Sequence, residues 1–182
     1  MSRFHVVAGA MFAGKTTELQ RLLRRAEIAK KRTQVFIPSA DTRSDGILRT
    51  HTGDVAQAQS VRTSADLLVR FLPSTQVLVV DEAQFFDDAL PHDLDRLVRT
   101  HRHLELVVAG LVRDYRGVPF PNVAQLLALS DTQRILTAVC VACGDEATFT
   151  HRKHEAPGLL TPGGSELYEA RCRDCWYEVS GA

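Results

Sequence analysis

The sequence predicts an α/β domain with a mostly parallel sheet flanked by helices, followed by a small cysteine-rich C-terminal domain. Apolar, strand-like segments alternate with amphipathic helical segments as far as residue 139, which is typical of a parallel sheet covered on both faces. A loop with two glycines, at 9–16, joins the first strand to the first helix. All four cysteines follow residue 139, where the long apolar runs end.

The composition is that of a globular protein with no general affinity for nucleic acid. The 182 residues suit one ordinary domain with a small appendage, and 45% of them are hydrophobic. Lys+Arg and Asp+Glu both number 22, and domains that coat nucleic acid usually carry a basic excess. We find neither a signal-peptide pattern nor an apolar run long enough to span a bilayer. We therefore expect no membrane segment and a cytoplasmic location.

The first third of the chain begins with alternating strand and helix patterns. We expect a buried strand at Phe4–Ala8, an amphipathic helix from Thr16 and a second strand at Thr33–Pro38. The segment from Asp41 to Ser60 is polar and has no apolar period. We predict that it is a long loop, and that it is mobile without a ligand because it lacks core-facing residues.

The same alternation continues to residue 139. In chain order we predict a helix at Ser64–Phe71, a strand at Gln76–Val80, a helix at Leu90–Arg102, a strand at Leu104–Ala109, a helix at Val123–Leu129 and a last core strand at Gln133–Val139.

The loop after the first strand has the pattern G-x-x-x-x-G-K-[ST], which between a strand and a helix is the Walker A context. Its glycines let successive backbone N–H groups point at phosphate oxygens, and the helix N-terminus adds positive charge. We expect Lys15 to contact the β- and γ-phosphates and Thr16 to offer its hydroxyl to Mg²⁺. The sequence thus predicts a P-loop NTPase core, and a chance match in a glycine-containing turn is the disfavoured alternative. The residues expected to bind phosphate through the loop backbone are Gly9, Ala10, Met11, Phe12, Ala13 and Gly14.

A second motif follows the apolar run Val77–Val80. Asp81 at its end is typical of a Walker B strand, and we expect it beside the phosphate loop, holding Mg²⁺. The next residue, Glu82, can orient water as in an ATPase or accept a proton from a substrate hydroxyl as in a kinase. Alternatively, Glu82 only caps the following helix or is solvated. The tetrapeptide DEAQ also suggests a helicase, but the chain supplies one motor-sized domain and a neutral charge.

The cysteines form two C-x-x-C pairs, Cys140 with Cys143 and Cys172 with Cys175. Two such pairs complete a tetrahedral Cys₄ zinc site with no open position, which is a structural site. A redox-active C-x-x-C is the alternative, but it does not predict two pairs. His151 and His154 could substitute as ligands, although the four thiolates suffice. We place a domain boundary here, with a nucleotide-binding domain at 1–139 and a zinc-binding domain at 140–182.

Taken together, these motifs resemble the cytosolic (type II) thymidine kinase family. The resemblance covers nearly the whole chain and rests on GAMFAGKTTELQRLLRR at 9–25, DTR at 41–43, DEAQFF at 81–86, GLVRDYRGVPF at 110–120 and YEARCRDC at 168–175. It implies a P-loop α/β domain joined to a small zinc-ribbon-like lasso domain that covers the nucleoside. It also implies transfer of the γ-phosphoryl group of ATP to the 5′-hydroxyl of thymidine.

The resemblance assigns roles to residues of this chain. Glu82 matches the general base, and Lys15, with the loop amides, would hold the ATP phosphates. Asp81 and Thr16 would hold Mg²⁺. The remaining donor-side positions are Asp41, Thr42, Arg43 and Gln84, with Arg43 as a stabiliser of charge in the transition state. The positions that would line the nucleoside site are Met11, Phe85, Leu111, Tyr115, Thr150, Leu159, Leu160, Thr161, Pro162, Gly163 and Tyr168.

The resemblance also implies a homotetramer and feedback inhibition by thymidine triphosphate. Two positions depart from the family pattern: Val112 stands where the family often has Asp, and Pro162 brings no N–H to the base-binding backbone. The competing hypothesis is a P-loop ATPase whose zinc module binds nucleic acid or a protein partner. A non-catalytic nucleotide-binding scaffold is disfavoured because the parts needed for phosphoryl transfer are all present.

Overall fold

A computed structural model describes residues 2–40, 47–49, 55–155, 158, 161 and 163–181. The strands are β1 (Arg3–Gly9), β2 (Thr33–Pro38), β3 (Ile47–Arg49), β4 (Val55–Gln57), β5 (Gln59–Val61), β6 (Val77–Val80), β7 (Glu105–Leu111), β8 (Thr132–Leu136), β9 (Ala138–Val139), β10 (Glu146–Ala147), β11 (Phe149–Arg152) and β12 (Tyr168–Arg171). The α-helices are α1 (Lys15–Ile28), α2 (Ser64–Arg70), α3 (Leu90–Thr100), α4 (Pro121–Leu129) and α5 (Arg173–Ser180), and a 3₁₀ turn occupies Ala83–Phe85.

A six-stranded parallel sheet forms the centre of the molecule, with the strand order β5-β2-β6-β7-β1-β8. Its carboxyl ends all lie at one edge, which brings together the ends of β1, β6, β7 and β8. Parallel strands present their following loops at this edge, where ligands of open α/β sheets bind. The predicted α/β fold with a mostly parallel sheet is confirmed.

Helices cover both faces of the sheet. One face contacts α2, α3 and α4 through a buried cluster that includes Leu67, Leu94 and Leu126. The other face contacts α1 through Leu19 and Leu23. Burial of a leucine side chain contributes about 1.5–3 kcal/mol, so the apolar strands are stabilised from both sides. This two-sided burial explains why the strands show continuous apolar runs instead of alternating patterns.

The prediction of a loop throughout Asp41–Ser60 is wrong in part. Strand β3 pairs with β4 in an antiparallel ladder, and β5 pairs with β2 at the edge of the central sheet. A strand of three residues is too short to show a period, so the sequence pattern could not reveal it. The predicted mobility concerns a segment of which 41–46 and 50–54 lie outside the described residues.

The segment predicted as the last core strand forms a shorter strand, and that strand is largely exposed at the lateral edge of the sheet. Strand β8 pairs with β1 and ends at Leu136, after which β9 pairs with β10 in a separate two-stranded ladder. Strands β11 and β12 form another ladder. Trp176 of α5 stacks on Phe149 with ring centroids 4.9 Å apart, which fixes α5 against β11. In the part of the chain that the structure describes, no helix has the length and apolar character needed to cross a membrane.

Candidate active site

The phosphate loop leaves the carboxyl end of β1 and leads into α1. A Cβ on Gly9 would lie 2.4 Å from the carbonyl oxygen of Leu136, so only glycine allows β8 to pack this closely. Gly14 has φ 82°, a left-handed conformation that favours glycine and precedes the first turn of α1. The two glycines of the motif therefore serve different purposes, the first in packing and the second in turning the backbone.

The lysine of the motif reaches across the loop. Its side chain is buried, with 8% of the residue exposed, and Nζ donates a hydrogen bond to the carbonyl oxygen of Ala10 at 2.7 Å. The positive charge of Lys15 is thereby held over the loop where phosphate oxygens are expected. Lys15 begins α1, directly after the loop that its side chain reaches across.

Asp81 follows the carboxyl end of β6, and the phosphate loop follows the carboxyl end of β1. The two motifs therefore lie on the same side of the sheet, although β7 lies between β1 and β6. The Thr16 hydroxyl lies 3.4 Å from Oδ2 of Asp81, a residue that is only 3% exposed. Oδ1 of Asp81 accepts a hydrogen bond from the backbone N–H of Glu82 at 2.8 Å. A hydroxyl and a carboxylate at this separation are hard oxygen donors of the kind that Mg²⁺ prefers. The donor set therefore fits a magnesium ion held by Thr16 and Asp81.

Glu82 follows β6 in a left-handed backbone conformation, with φ 52° and ψ 44°. Few non-glycine residues adopt this conformation, and those that do concentrate at functional sites. Its side chain makes no capping hydrogen bond to the 3₁₀ turn that follows. Oε2 instead accepts a hydrogen bond from Nε2 of Gln84 at 2.5 Å. The capping alternative considered for Glu82 therefore does not describe this side chain.

The C-terminal strands contact the phosphate loop directly. The buried hydroxyl of Thr150, on β11, accepts a hydrogen bond from the backbone N–H of Met11 at 3.1 Å. Tyr168, on β12, donates from its hydroxyl to the carbonyl oxygen of Thr161 at 2.8 Å. The first bond places Thr150 against the phosphate loop, and the pairing of β11 with β12 brings Tyr168 onto the same ladder as Thr150.

Tyr115 lies farther along this side and contacts Arg152. Its hydroxyl accepts a hydrogen bond from Arg152 at 2.8 Å, and the guanidinium carbon lies 3.7 Å from the ring centroid. The backbone carbonyl of Tyr115 accepts from the indole N–H of Trp176 at 3.2 Å. Sequence reasoning did not single out Arg152, because its partner lies 37 positions away and no motif connects them.

The remaining predicted positions divide into two groups. Leu111 ends β7 beside Gln84, Phe85 ends the 3₁₀ turn, and Gly163 lies near β12. Val112, which departs from the family pattern, is partly buried and packs against the core cluster on the α2–α4 face of the sheet. The positions that lie outside the described residues are Asp41, Thr42, Arg43, Leu159, Leu160 and Pro162.

The four cysteines form one cluster. Their Sγ atoms all lie within 4.8 Å of one another, and Sγ of Cys143 lies 3.7 Å from Sγ of Cys172. No disulfide joins any of the four. Tetrahedral zinc with Zn–S bonds near 2.3 Å separates its sulfurs by about 3.8 Å. The thiols therefore fit a structural zinc ion, and His151 and His154 do not belong to the cluster.

The fold and the two motifs define a protein of the P-loop class, with a cysteine cluster that fits a structural metal ion. The chain matches a sequence model described as thymidine kinase over residues 2–176. A thymidine kinase of Bacteroides thetaiotaomicron is 36% identical over 180 residues, which cover 98% of this chain and 89% of that protein. Thymidine kinases from two strains of Bacteroides fragilis are 36% and 35% identical over 175 residues, covering 96% of this chain and 86% of each relative. The chain belongs to the thymidine kinase family.

Proposed function

We propose that the protein is an ATP-dependent thymidine kinase, which transfers the γ-phosphoryl group of ATP to the 5′-hydroxyl of thymidine and releases thymidine monophosphate and ADP. Membership of the thymidine kinase family supports this reaction. The observation that carries the residue-level proposal is the position of Glu82. Glu82 follows Asp81 at the carboxyl ends of the strands, where β1 leads into the phosphate loop and where Thr16 lies 3.4 Å from Asp81. This position supports Glu82 as a proton acceptor close to the phosphoryl donor.

In the proposed reaction Glu82 accepts the proton of the 5′-hydroxyl as the oxygen attacks the γ-phosphorus. A bond forms between that oxygen and phosphorus, and the bond to the β-phosphate oxygen breaks. Lys15 and the loop amides neutralise the charge on the transferred group, which is the main task in phosphoryl transfer. A magnesium ion bound by Thr16 and Asp81 would supply further charge neutralisation.

The remaining assignments form part of the same proposal. Asp41, Thr42 and Arg43 are proposed to contact the donor, with Arg43 as a charge stabiliser. The nucleoside site is proposed to comprise Met11, Phe85, Leu111, Tyr115, Thr150, Tyr168 and the segment 159–163. Backbone groups of that segment would reject a wrong base because buried polar groups would remain unpaired. The domains proposed to divide these tasks are 1–139 and 140–182.

The proposal extends to assembly and regulation. We propose a homotetramer located in the cytoplasm and inhibited by thymidine triphosphate, as the family resemblance implies. Light scattering should give four times the chain mass, and added thymidine triphosphate should lower the rate. A monomeric mass or an unchanged rate would contradict the respective part.

The experiment that tests the catalytic assignment is Glu82→Gln, with the exposed Glu27→Gln on α1 as the matched control. We expect Glu82→Gln to lower kcat by at least about a hundredfold, the range found for general bases. ATP binding, measured by calorimetry, should stay within about twofold of wild type because the phosphate loop is untouched. Turnover at the wild-type rate in Glu82→Gln would show that this carboxylate is not the base.

A further inference from the structure

Both ends of the Gln84 side-chain amide are engaged. Gln84 is buried, with 4% of the residue exposed. Its Nε2 donates to Oε2 of Glu82 at 2.5 Å, and its Oε1 accepts from the backbone N–H of Leu111 at 3.0 Å. The amide therefore connects the proposed base to the end of the neighbouring strand β7.

These two partners fix which way the amide points. The backbone N–H of Leu111 is a donor and requires the amide oxygen, whereas the Glu82 carboxylate is an acceptor and requires the amide nitrogen. A flipped amide would lose both hydrogen bonds at once. Since the bond to Glu82 is charge-assisted, it is also among the stronger hydrogen bonds available to a neutral side chain.

The space for this amide depends on Gly110. A Cβ at Gly110 would lie 3.2 Å from Oε1 of Gln84 and 3.3 Å from Cβ of Ala83. It would also lie 3.0 Å from Cγ2 of Val123 on α4. The glycine therefore lets the 3₁₀ turn that carries Gln84 pack closely against β7.

We propose that Gln84 is a positioning residue that fixes the orientation of the Glu82 carboxylate for proton acceptance. This inference rests on the proposed role of Glu82 as general base, and it gives Gln84 a role that its predicted contact with ATP does not. A glutamate side chain has several rotatable bonds, and a base held in one orientation loses less freedom when the transition state forms. The backbone of β7 fixes that orientation, because the N–H of Leu111 holds the Gln84 amide through a hydrogen bond.

Two substitutions separate the parts of this arrangement. Gln84→Met removes both hydrogen bonds while keeping a side chain of similar length. Gln84→Glu keeps an acceptor for the Leu111 N–H, but it removes the donor to Glu82 and sets a second carboxylate against it. Gln125→Met, on the exposed side of α4, is the matched control. Each Gln84 variant is also combined with Glu82→Gln, and circular dichroism with thermal unfolding checks that all variants fold.

We expect each Gln84 variant to lower kcat between about tenfold and a hundredfold, the range for a displaced catalytic group. The KM for ATP should stay within about twofold of wild type. In the Glu82→Gln background the same substitutions should lower the residual rate by less than about twofold, because residues that act as a unit are not additive. Sensitive detection with labelled thymidine allows these low rates to be compared.

Three results would overturn the inference. An equal fold-loss in both backgrounds would show that Gln84 acts independently of Glu82. A raised KM for ATP with unchanged kcat would show that Gln84 contacts the donor instead. Full turnover in Glu82→Gln alone would show that Glu82 is not the general base. That result would overturn both this inference and the residue-level proposed function. The first two results would leave the proposed function intact.

Discussion

At the scale of single residues, the phosphate loop is shaped by contacts from segments distant in sequence. The carbonyl oxygen of Leu136 on β8 occupies the space beside Gly9, and the Thr150 hydroxyl accepts from the Met11 N–H. Such contacts fix the loop before any phosphate binds, which is the preorganisation that phosphoryl transfer requires. The loop should therefore be sensitive to substitutions outside its own motif.

The first residue-scale prediction concerns Gly9. A Cβ there would meet backbone, which cannot move aside as a flexible side chain can. We expect Gly9→Ala to lower the free energy of unfolding by about 1–3 kcal/mol, measured by urea denaturation. Gly164→Ala is the control, because its Cβ would meet only the carboxylate end of Glu166. Equal stability of the Gly9→Ala variant and wild type would contradict the packing argument.

The second residue-scale prediction concerns Thr150. Thr150→Val keeps the shape of the side chain but leaves the Met11 N–H without its acceptor. The expected loss in the free energy of unfolding is about 1 kcal/mol, because the Met11 N–H that loses its acceptor is partly buried. Thr150→Ser, which retains the hydroxyl, should lose less than Thr150→Val in the same titration. A larger loss in the serine variant would indicate that the methyl group matters more than the hydrogen bond.

The sequence could predict the motif residues but not these contacts. Lys15, Thr16 and Asp81 were predicted because local spacing alone defines their chemistry. The bond between Met11 and Thr150 spans 139 positions, and it depends on how β11 lies against the phosphate loop. The bond between Gln84 and Leu111 likewise depends on β6 and β7 being neighbours in the sheet. Strand order is not encoded in any local pattern, so these pairs could not be predicted.

At the scale of elements, an ion pair between Glu18 and Arg134 links α1 to the edge strand β8. Glu18, in the first turn of α1, accepts hydrogen bonds from Arg21 on the same helix and from Arg134 on β8, the latter at 2.7 Å. The hydrogen bond from Arg21, opposed by burial and supported by Arg134, lowers the pKa of Glu18 below its usual 4.5. The charged form of Glu18 is thus favoured in the folded state.

This arrangement predicts a pH-dependent stability. Because the folded pKa of Glu18 is depressed, its contribution is present above about pH 4.5 and is lost as the pH falls through the folded value. We expect Glu18→Gln to be less stable than wild type by about 1–2 kcal/mol at neutral pH. The difference should shrink below pH 4.5, whereas Glu27→Gln on the same helix should show little difference throughout. A deficit that is independent of pH would contradict the ion-pair account.

Prediction at this scale succeeded where elements are long and apolar. The apolar segments that form β1, β2, β6 and β7 are buried on both faces of the sheet. A continuous apolar segment is typical of such a buried strand, so the pattern predicted these four correctly. Strand β8 was predicted to be longer because the apolar pattern continues past Leu136, although the chain there leaves the sheet for β9. Here the apolar pattern did not report burial, because β8 is an edge strand on which Ile135 is 53% exposed, and Val139 on β9 is 69% exposed.

At the scale of the whole molecule, the cysteine cluster joins the C-terminal strands. Cys140 and Cys143 adjoin β9, while Cys172 and Cys175 lie at the start of α5. Metal analysis should find about one zinc per chain. Adding a chelator should lower the Tm of the wild-type protein. The Cys143→Ser variant should have a lower Tm than wild type before chelation, and chelation should change its Tm little. Metal-free protein with an unchanged Tm would contradict a structural site.

The proposed reaction involves both motifs and the C-terminal strands together. The most direct measurement is ADP release with Mg·ATP in the presence of thymidine, deoxyuridine, deoxycytidine, deoxyguanosine or no nucleoside. We expect rapid ADP release with thymidine, or with both thymidine and deoxyuridine, and little release without a nucleoside, since water should be a poor acceptor in a closed site. ADP release at the same rate with and without nucleosides would contradict the account and would instead identify a P-loop ATPase.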